Sequence, residues 1–365
     1  MSEYRDYIRD KVILVTGGAG AIGTNLTRQL ALAGARAVIV LDDFSAAHEW
    51  NVPSLPNVLL VRGSVTDEVD LKRVFGERPE IIYHLAAFFA NQNSIDYPQR
   101  DLMTNGMGTL LVLQYAALTG VERLIYASSG CSIYGSSAPL PLTEDFVSMH
   151  LTTPYQITKM LGELYGNFFW HHHELPIVKT RFFNSYGPGE VPGQYRNVIP
   201  NFIYYAMRGQ PLPFTGNPDA TRDFTYVDDI VDALMRAAYY ERAIGQEMNI
   251  ASGYETRILD MAEKVNRLTG NKAGITPAPK RKWDTKNRLL ASVDRARELL
   301  GYEPRMDFDE GLATTIAWFE QHWEQIDRDA EFPPGMSSAV RGVTISEKPA
   351  AAPAVEPRKR MKRSG

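Results

Sequence analysis

The sequence is short of everything that would mark an exported, membrane-bound or metal-stapled protein. One cysteine, Cys131, occurs in 365 residues, which excludes an intramolecular disulfide and any multi-cysteine zinc site. No run of 18 apolar residues occurs, and the first residues carry charges where a signal peptide would be apolar, so the chain reads as a soluble cytoplasmic protein. An excess of one charge is lacking too. Lys and Arg number 39 against 43 Asp and Glu, a formal charge of −4, which leaves no broad basic surface for nucleic acid or anionic lipid and points to small-molecule partners. No internal repeat is visible.

What the chain does have is a core. Apolar residues make up 44% of it, enough for one large domain or two modest ones. Residues 12–15 form a short β-branched run that ends in Thr16-Gly17-Gly18, the pattern of a buried parallel strand entering a tight turn. Ile22, Leu26, Leu30 and Ala33 then recur at helical spacing up to Gly34. The alternation continues with a strand over 37–41, a strand over 58–62, a helix over 68–75, a strand over 81–85, a helix over 110–118 and a strand over 123–127. Such pacing predicts an α/β fold, a Rossmann-type doubly wound parallel sheet. A helix from Tyr155 to His173 and a strand over 177–182 follow before Gly- and Pro-rich punctuation breaks the winding, and residues 275–281 read as an edge strand. The expected division is a nucleotide-binding domain over 1–185, with later strands interleaved, and a smaller mixed α/β substrate lobe over 186–330. Residues 331–365 are expected to be a disordered tail, rich in Pro, Ala and Ser, whose basic end over 358–363 reads as a solvated terminus.

Position gives the glycine string its meaning. Between the first strand and the first helix, Gly17 permits the turn, Gly20 lets the backbone approach a pyrophosphate, Gly23 lets helix pack on strand, and the helix N-terminus faces the phosphates. The second strand ends in Asp42-Asp43, where an acidic side chain meets an adenosine ribose and repels a 2′-phosphate; NAD is therefore expected over NADP, with Asp42 the reader. Tyr155 and Lys159 are four apart on one helix, so an ammonium can stabilise a phenolate and lower its pKa towards neutrality. His171-His172-His173 do not converge on one ion, because successive helical residues point about 100° apart, and Cys131 lacks a neighbouring histidine and reads as packing. No metal is expected.

Together the glycine string, Asp42, His84-Leu85-Ala86-Ala87, Asn105, Tyr155 with Lys159, Arg181-Phe182-Phe183-Asn184 and the string from Arg222 to Asp229 resemble the extended short-chain dehydrogenases, the NAD-dependent nucleotide-sugar epimerase and dehydratase family, over roughly residues 10–325. The resemblance implies that Leu85, Ala86 and Ala87 line the nicotinamide side and that Ser64 and Val65 hold the adenine. Ala21, Ile22, Asp43, Ser45, Asn105, Ser128 and Phe182 complete the implied cofactor site. For substrate it implies Asn184 at the diphosphate, Asn197 and Val198 beside the base, Arg222 on a phosphate, and Arg288 as the C-terminal phosphate or ribose arginine. Phe88 and Phe89 are expected beside the cofactor.

Residues 127–135 indicate the subfamily. Dehydratases of the family carry an Asp-Glu pair, and decarboxylases its Glu, where this chain has Cys131 and Ser132, so elimination has no proton carrier here. The family's catalytic hydroxyl position is Gly130; Ser129 is the first substitute, Ser132 the second. The expectation is therefore an NAD-dependent 4-epimerase of a UDP-hexose or UDP-hexuronic acid, with Tyr155, Lys159 and Ser129 catalytic. A 4-ketosugar reductase, a 4,6-dehydratase and a nucleotide-sensing binding protein are the alternatives. The resemblance, with apolar faces over 110–118 and on the Tyr155 helix, implies a homodimer through a four-helix contact.

Overall fold

In a computed structural model, which describes residues 3–279, 284 and 286–333, the alternation resolves into one seven-stranded sheet. Strands β1 (Val12–Thr16), β2 (Ala37–Asp42), β3 (Val58–Arg62), β4 (Ile81–His84), β5 (Arg123–Ser129), β6 (Ile177–Phe182) and β7 (Glu247–Ile250) stand in the order β7-β6-β5-β4-β1-β2-β3. Every pairing is parallel. Central strands β1, β4, β5 and β6 are buried along their whole length, as near-continuous apolar runs covered on both faces must be. At the edge, β3 leaves Leu59 and Leu60 exposed.

Helices α1 (Ala21–Leu32) and α5 (Val227–Tyr239) cover one face, and α2 (Glu68–Gly76), α3 (Thr109–Thr119) and α4 (Pro154–His173) cover the other, each layer with its own apolar core. Strand order changes direction between β1 and β4, and the crevice outside the carboxyl ends of strands at such a switch is where α/β sheets bind ligands. Here those ends are Thr16, His84 and Ser129, each entering a loop that the sequence singles out.

Beyond the sheet, helices Val198–Met207, Ile258–Thr269 and Phe308–Gln321 pack around Ile203, Leu212, Met261, Val265, Leu312 and Phe319, all fully buried. Leu212–Thr215 pairs in parallel with Ile275–Ala278, so the strand expected over 275–281 is observed as far as Ala278; residues 280 and 281 lie outside the described residues, as does the expected tail from 334 on. No described helix is long and apolar enough to cross a membrane.

Candidate active site

The glycine turn is packed as tightly as its spacing implies. A Cβ on Gly17, whose φ is +69°, would lie 2.6 Å from the Ala86 nitrogen, and one on Gly23 would lie 2.2 Å from the Gly17 oxygen, so both glycines are required by close backbone approach. Gly20 differs: a Cβ there would meet only the Gly17 oxygen at 3.3 Å, and the residue borders an open chamber. α1 starts at Gly20 with no side-chain cap, leaving its first N–H groups available to an anion. A turn that packing does not fill and an uncapped helix start fit a pyrophosphate. Asp42 closes the turn from β2; its carboxylate accepts the Ala19 N–H at 3.0 Å and the Phe44 N–H at 2.9 Å, and burial pushes its carboxyl up to about 6. Asp43 accepts the Ser45 N–H at 2.9 Å.

That chamber is lined by Gly17, Gly20, Ala21 and Ile22, then by Asp42, Asp43, Ser45, Ser64 and Val65. Leu85, Ala86, Ala87, Ser128, Phe182, Tyr155 and Lys159 line its other side. Asn105 does not reach it. Its side chain sits behind the wall in the π-helical turn Leu102–Gly108, accepting the Phe88 N–H at 2.7 Å and donating to Asp101 at 2.8 Å, so it braces the Phe88 backbone. Phe88 packs behind with Tyr97 and Tyr195, while Phe89 lines the chamber.

Tyr155 and Lys159 arrive on α4, started by Thr153, which caps the Gln156 N–H, and by Pro154 at its first turn. Both side chains are buried. Lys159 Nζ donates to the Ala127 carbonyl at 2.9 Å and lies 5.7 Å from the Tyr155 ring centroid. The sequence suggested that this ammonium lowers the tyrosine pKa. The structure shows burial dominating: the Tyr155 hydroxyl is pushed well above its ordinary range, Asp101 and Cys131 add to the rise, and a hydrogen bond with Ser129 opposes it. Burial likewise brings Lys159 down to about 8. The ammonium is itself desolvated and turned to a carbonyl, so the chain alone holds Tyr155 as a phenol.

Ser129 donates to Ser132 at 2.9 Å. Gly130 is forced by its neighbour, because a Cβ there would lie 2.0 Å from the Phe183 ring. Beneath them Ser128 donates to Glu163, which takes a two-pronged ion pair from Arg181 at 3.0 and 2.8 Å; Arg181 also donates to Tyr134 at 3.0 Å. Burial holds Cys131 as a thiol, its pKa pushed up to about 12.

A second chamber, of about 420 Å³, adjoins the first across Phe89, Ser129, Tyr155, Arg196 and Asn197. Ser132, Asn184, Val198 and Arg222 also line it. Arg288 does not: it is exposed and paired with Glu255 at 3.0 Å, on the outside of the lobe. Lys286, two residues earlier, faces the chamber instead, with Nζ 2.7 Å from the Cys131 carbonyl oxygen, and Asp284 pairs with Arg222 at 2.9 Å. Sequence reasoning missed Lys286, Asp284 and Arg196. Arg196 is partly buried, donates to the Ala46 carbonyl and lies near Glu190 and Asp42. Its one available signal was adjacency to Asn197. Asp223 is a structural hub: its carboxylate accepts the Ser252 N–H and hydroxyl at 2.8 and 2.6 Å and the Gly253 N–H at 3.1 Å.

Comparison with known proteins agrees with this geometry. Residues 13–251 match the model of the NAD dependent epimerase/dehydratase family. An epimerase structure from Methanothermobacter thermautotrophicus is 53% identical with a TM-score of 0.89, over 90% of this chain and 98% of that one. The Bordetella bronchiseptica enzyme WbmF, solved with NAD+ and UDP, is 34% identical with a TM-score of 0.78, over 88% of this chain and 96% of that one. A UDP-glucose 4-epimerase of Mycolicibacterium smegmatis is 33% identical over 310 residues, 84% of this chain and 97% of its own length. With the fold, the glycine turn and the tyrosine-lysine helix arranged around two adjoining chambers, the chain belongs to the NAD dependent epimerase/dehydratase family.

Proposed function

We propose that the protein is an NAD-dependent nucleotide-sugar 4-epimerase acting on a UDP-sugar. The observation that carries this reading is the junction of the two chambers, which Tyr155 and Ser129 both line, with Cys131 and Ser132 following Ser129 where an eliminating enzyme of the family carries its acid pair. Similarity to UDP-glucose 4-epimerase and to an enzyme solved with NAD+ and UDP supports the same reaction class. When bound, NAD supplies the acceptor, and then the donor, of one hydride at the sugar carbon. The chain's residues handle the proton. Beside bound NAD, whose positive charge adds to that of Lys159, the Tyr155 phenol would release its proton to solvent; as a phenolate, the Tyr155 oxygen would then take the proton of the sugar 4-hydroxyl and return it after the 4-keto sugar has turned over in the 420 Å³ chamber. Ser129, hydrogen-bonded to both Tyr155 and Ser132, steadies the oxygen that changes state. Lys159 holds its charge near the phenol and lines the first chamber, where it would meet the nicotinamide ribose. Asn184 and Arg222 lie in the nucleotide-sugar chamber and take the diphosphate, while Asn197 and Val198 flank the base.

A single cysteine, which leaves no intramolecular disulfide to form, fits a reducing cytoplasm. Leu102, Met103, Met107, Leu164 and Phe168 are exposed on the turn before α3 and on α4, which pack together, and this face fits a two-fold mate in a homodimer.

A labelled substrate tests the reaction. A C4-deuterated UDP-sugar incubated in water is expected to give the epimer with its label kept; label lost to solvent, NADH accumulating with product, or a 6-deoxy-4-keto product rejects the epimerase. Tyr155→Phe is expected to cut turnover by about 10²- to 10⁴-fold while NAD binding stays.

A further inference from the structure

Lys286 is a cation to which the reading above gives no role. Among the described residues, four charged side chains line the second chamber: Arg196, Arg222, Asp284 and Lys286. Arg222 is matched by Asp284 at 2.9 Å, and Arg196 lies in the field of Glu190, Glu331 and Asp42. For Lys286 the structure gives one hydrogen bond, to the Cys131 carbonyl oxygen at 2.7 Å, and partial burial that brings its ammonium down to about 8. Cys131 fixes where this charge stands. It lies two residues past Ser129 in the short helix Gly130–Ile133, near enough to Tyr155 to weigh on its ionisation. Lys286 thus stands between the reacting residues, which it reaches through Cys131, and Arg222, whose charge it also feels. In a hexopyranose, C6 is attached to the carbon next to C4, so a group beside the residue that handles the C4 oxygen meets the C6 substituent. A neutral hydroxymethyl there adds nothing to the carbonyl that the partly desolvated ammonium touches or to the field of Asp284, which Arg222 already pairs, whereas a carboxylate pairs with it directly.

We propose that Lys286 reads an oxyanion carried by the sugar, so that the substrate class is a nucleotide-linked hexuronic acid with its C6 carboxylate on Lys286. The inference rests on the nucleotide-sugar reading above and narrows it. The diphosphate is the other possible source of an oxyanion, and the test separates the two. UDP, UDP-glucose and UDP-glucuronate are titrated calorimetrically into NAD-loaded wild type and Lys286→Met, and the same sugars are assayed for the 4-epimer. The expected result is that wild type binds UDP-glucuronate at least tenfold tighter than UDP-glucose, and that Lys286→Met removes this preference while its affinity for UDP is unchanged. Equal affinity for the two sugars in wild type overturns the proposal. So does an equal loss for all three ligands in Lys286→Met, which assigns the lysine to the diphosphate. Lys286→Arg, which keeps the charge, is expected to retain the preference, and its loss there as well as in Lys286→Met counts against charge recognition. The binding pattern without any 4-epimer upholds the carboxylate subsite and defeats the epimerase reading, so the two failures are distinguishable.

Discussion

At the scale of single residues, the site is governed by which polar atoms lose their water. Asp42 faces the chamber with its carboxyl pushed up to about 6 by burial, so it is ionised at neutral pH and becomes neutral below that point. Ionised, it repels a 2′-phosphate; protonated, it does not. The preference for NAD over NADP is therefore expected to be strongest near pH 8 and to shrink as pH falls through about 6, measured as the ratio of the two dissociation constants; a ratio constant across that range removes Asp42 as the reader. Gly130 gives a second residue-level test. Restoring the family hydroxyl as Gly130→Ser puts a Cβ 2.0 Å from the Phe183 ring, which is expected to destabilise the protein by about 1–3 kcal/mol, whereas Phe183→Ala should make the same serine tolerable. Thermal unfolding of both singles and the double closes the cycle, and additive losses argue against the clash. Much of this site was legible in the sequence, because the glycine turn, Asp42 and the Tyr155-Lys159 pair each carry their geometry within a few residues. Lys286 was not: among several basic residues in a row, nothing local says which one turns inward, and only packing against Cys131 selects it over Arg288. The suppression of Tyr155 ionisation was hidden for the same reason, since desolvation belongs to the assembled interior.

At the scale of elements, α4 is the part that delivers chemistry, and its distance from the sheet is set by a glycine. A Cβ on Gly162 would lie 2.1 Å from the Tyr126 hydroxyl of β5. Gly162→Ala is expected to push the helix outward, costing about 1–3 kcal/mol and lowering kcat, because Tyr155 and Lys159 move with it. A variant that melts early yet turns over at the wild-type rate would show that the helix tilts without displacing them. The strands and helices of the sheet as far as β6 were read to within two residues, since β-branched runs and 3.6-residue periodicity are local signals, whereas α5 and β7, beyond the Gly- and Pro-rich break in the winding, were not read. The turn Leu102–Gly108 before α3 was not seen as π-helical, and with it the position of Asn105 behind the wall, because an extra residue in a helical turn leaves the apolar period nearly intact.

For the whole molecule, the exposed apolar residues on α4 and the preceding turn bear on assembly. Light scattering at micromolar concentration is expected to give twice the 40.9 kDa chain mass, and Leu164→Glu with Phe168→Glu to halve it; a wild-type monomer would contradict the two-fold contact. The sheet has a further consequence through the place of β7. It pairs with β6 through Glu247↔Lys179 to Ile250↔Phe182, yet the chain between them runs out to build part of the smaller lobe before it returns. During synthesis, at about 5–20 residues per second, the ribosome therefore holds β6 as a bare sheet edge for seconds after β5 is in place. An exposed edge invites pairing with another chain. A nascent polypeptide paused before Glu247 would carry the entire glycine turn and the Tyr155 helix and still be an unfinished sheet, so synonymous codons that slow translation between Phe182 and Glu247 should raise the insoluble fraction of the product more than equally slow codons placed after Ile250.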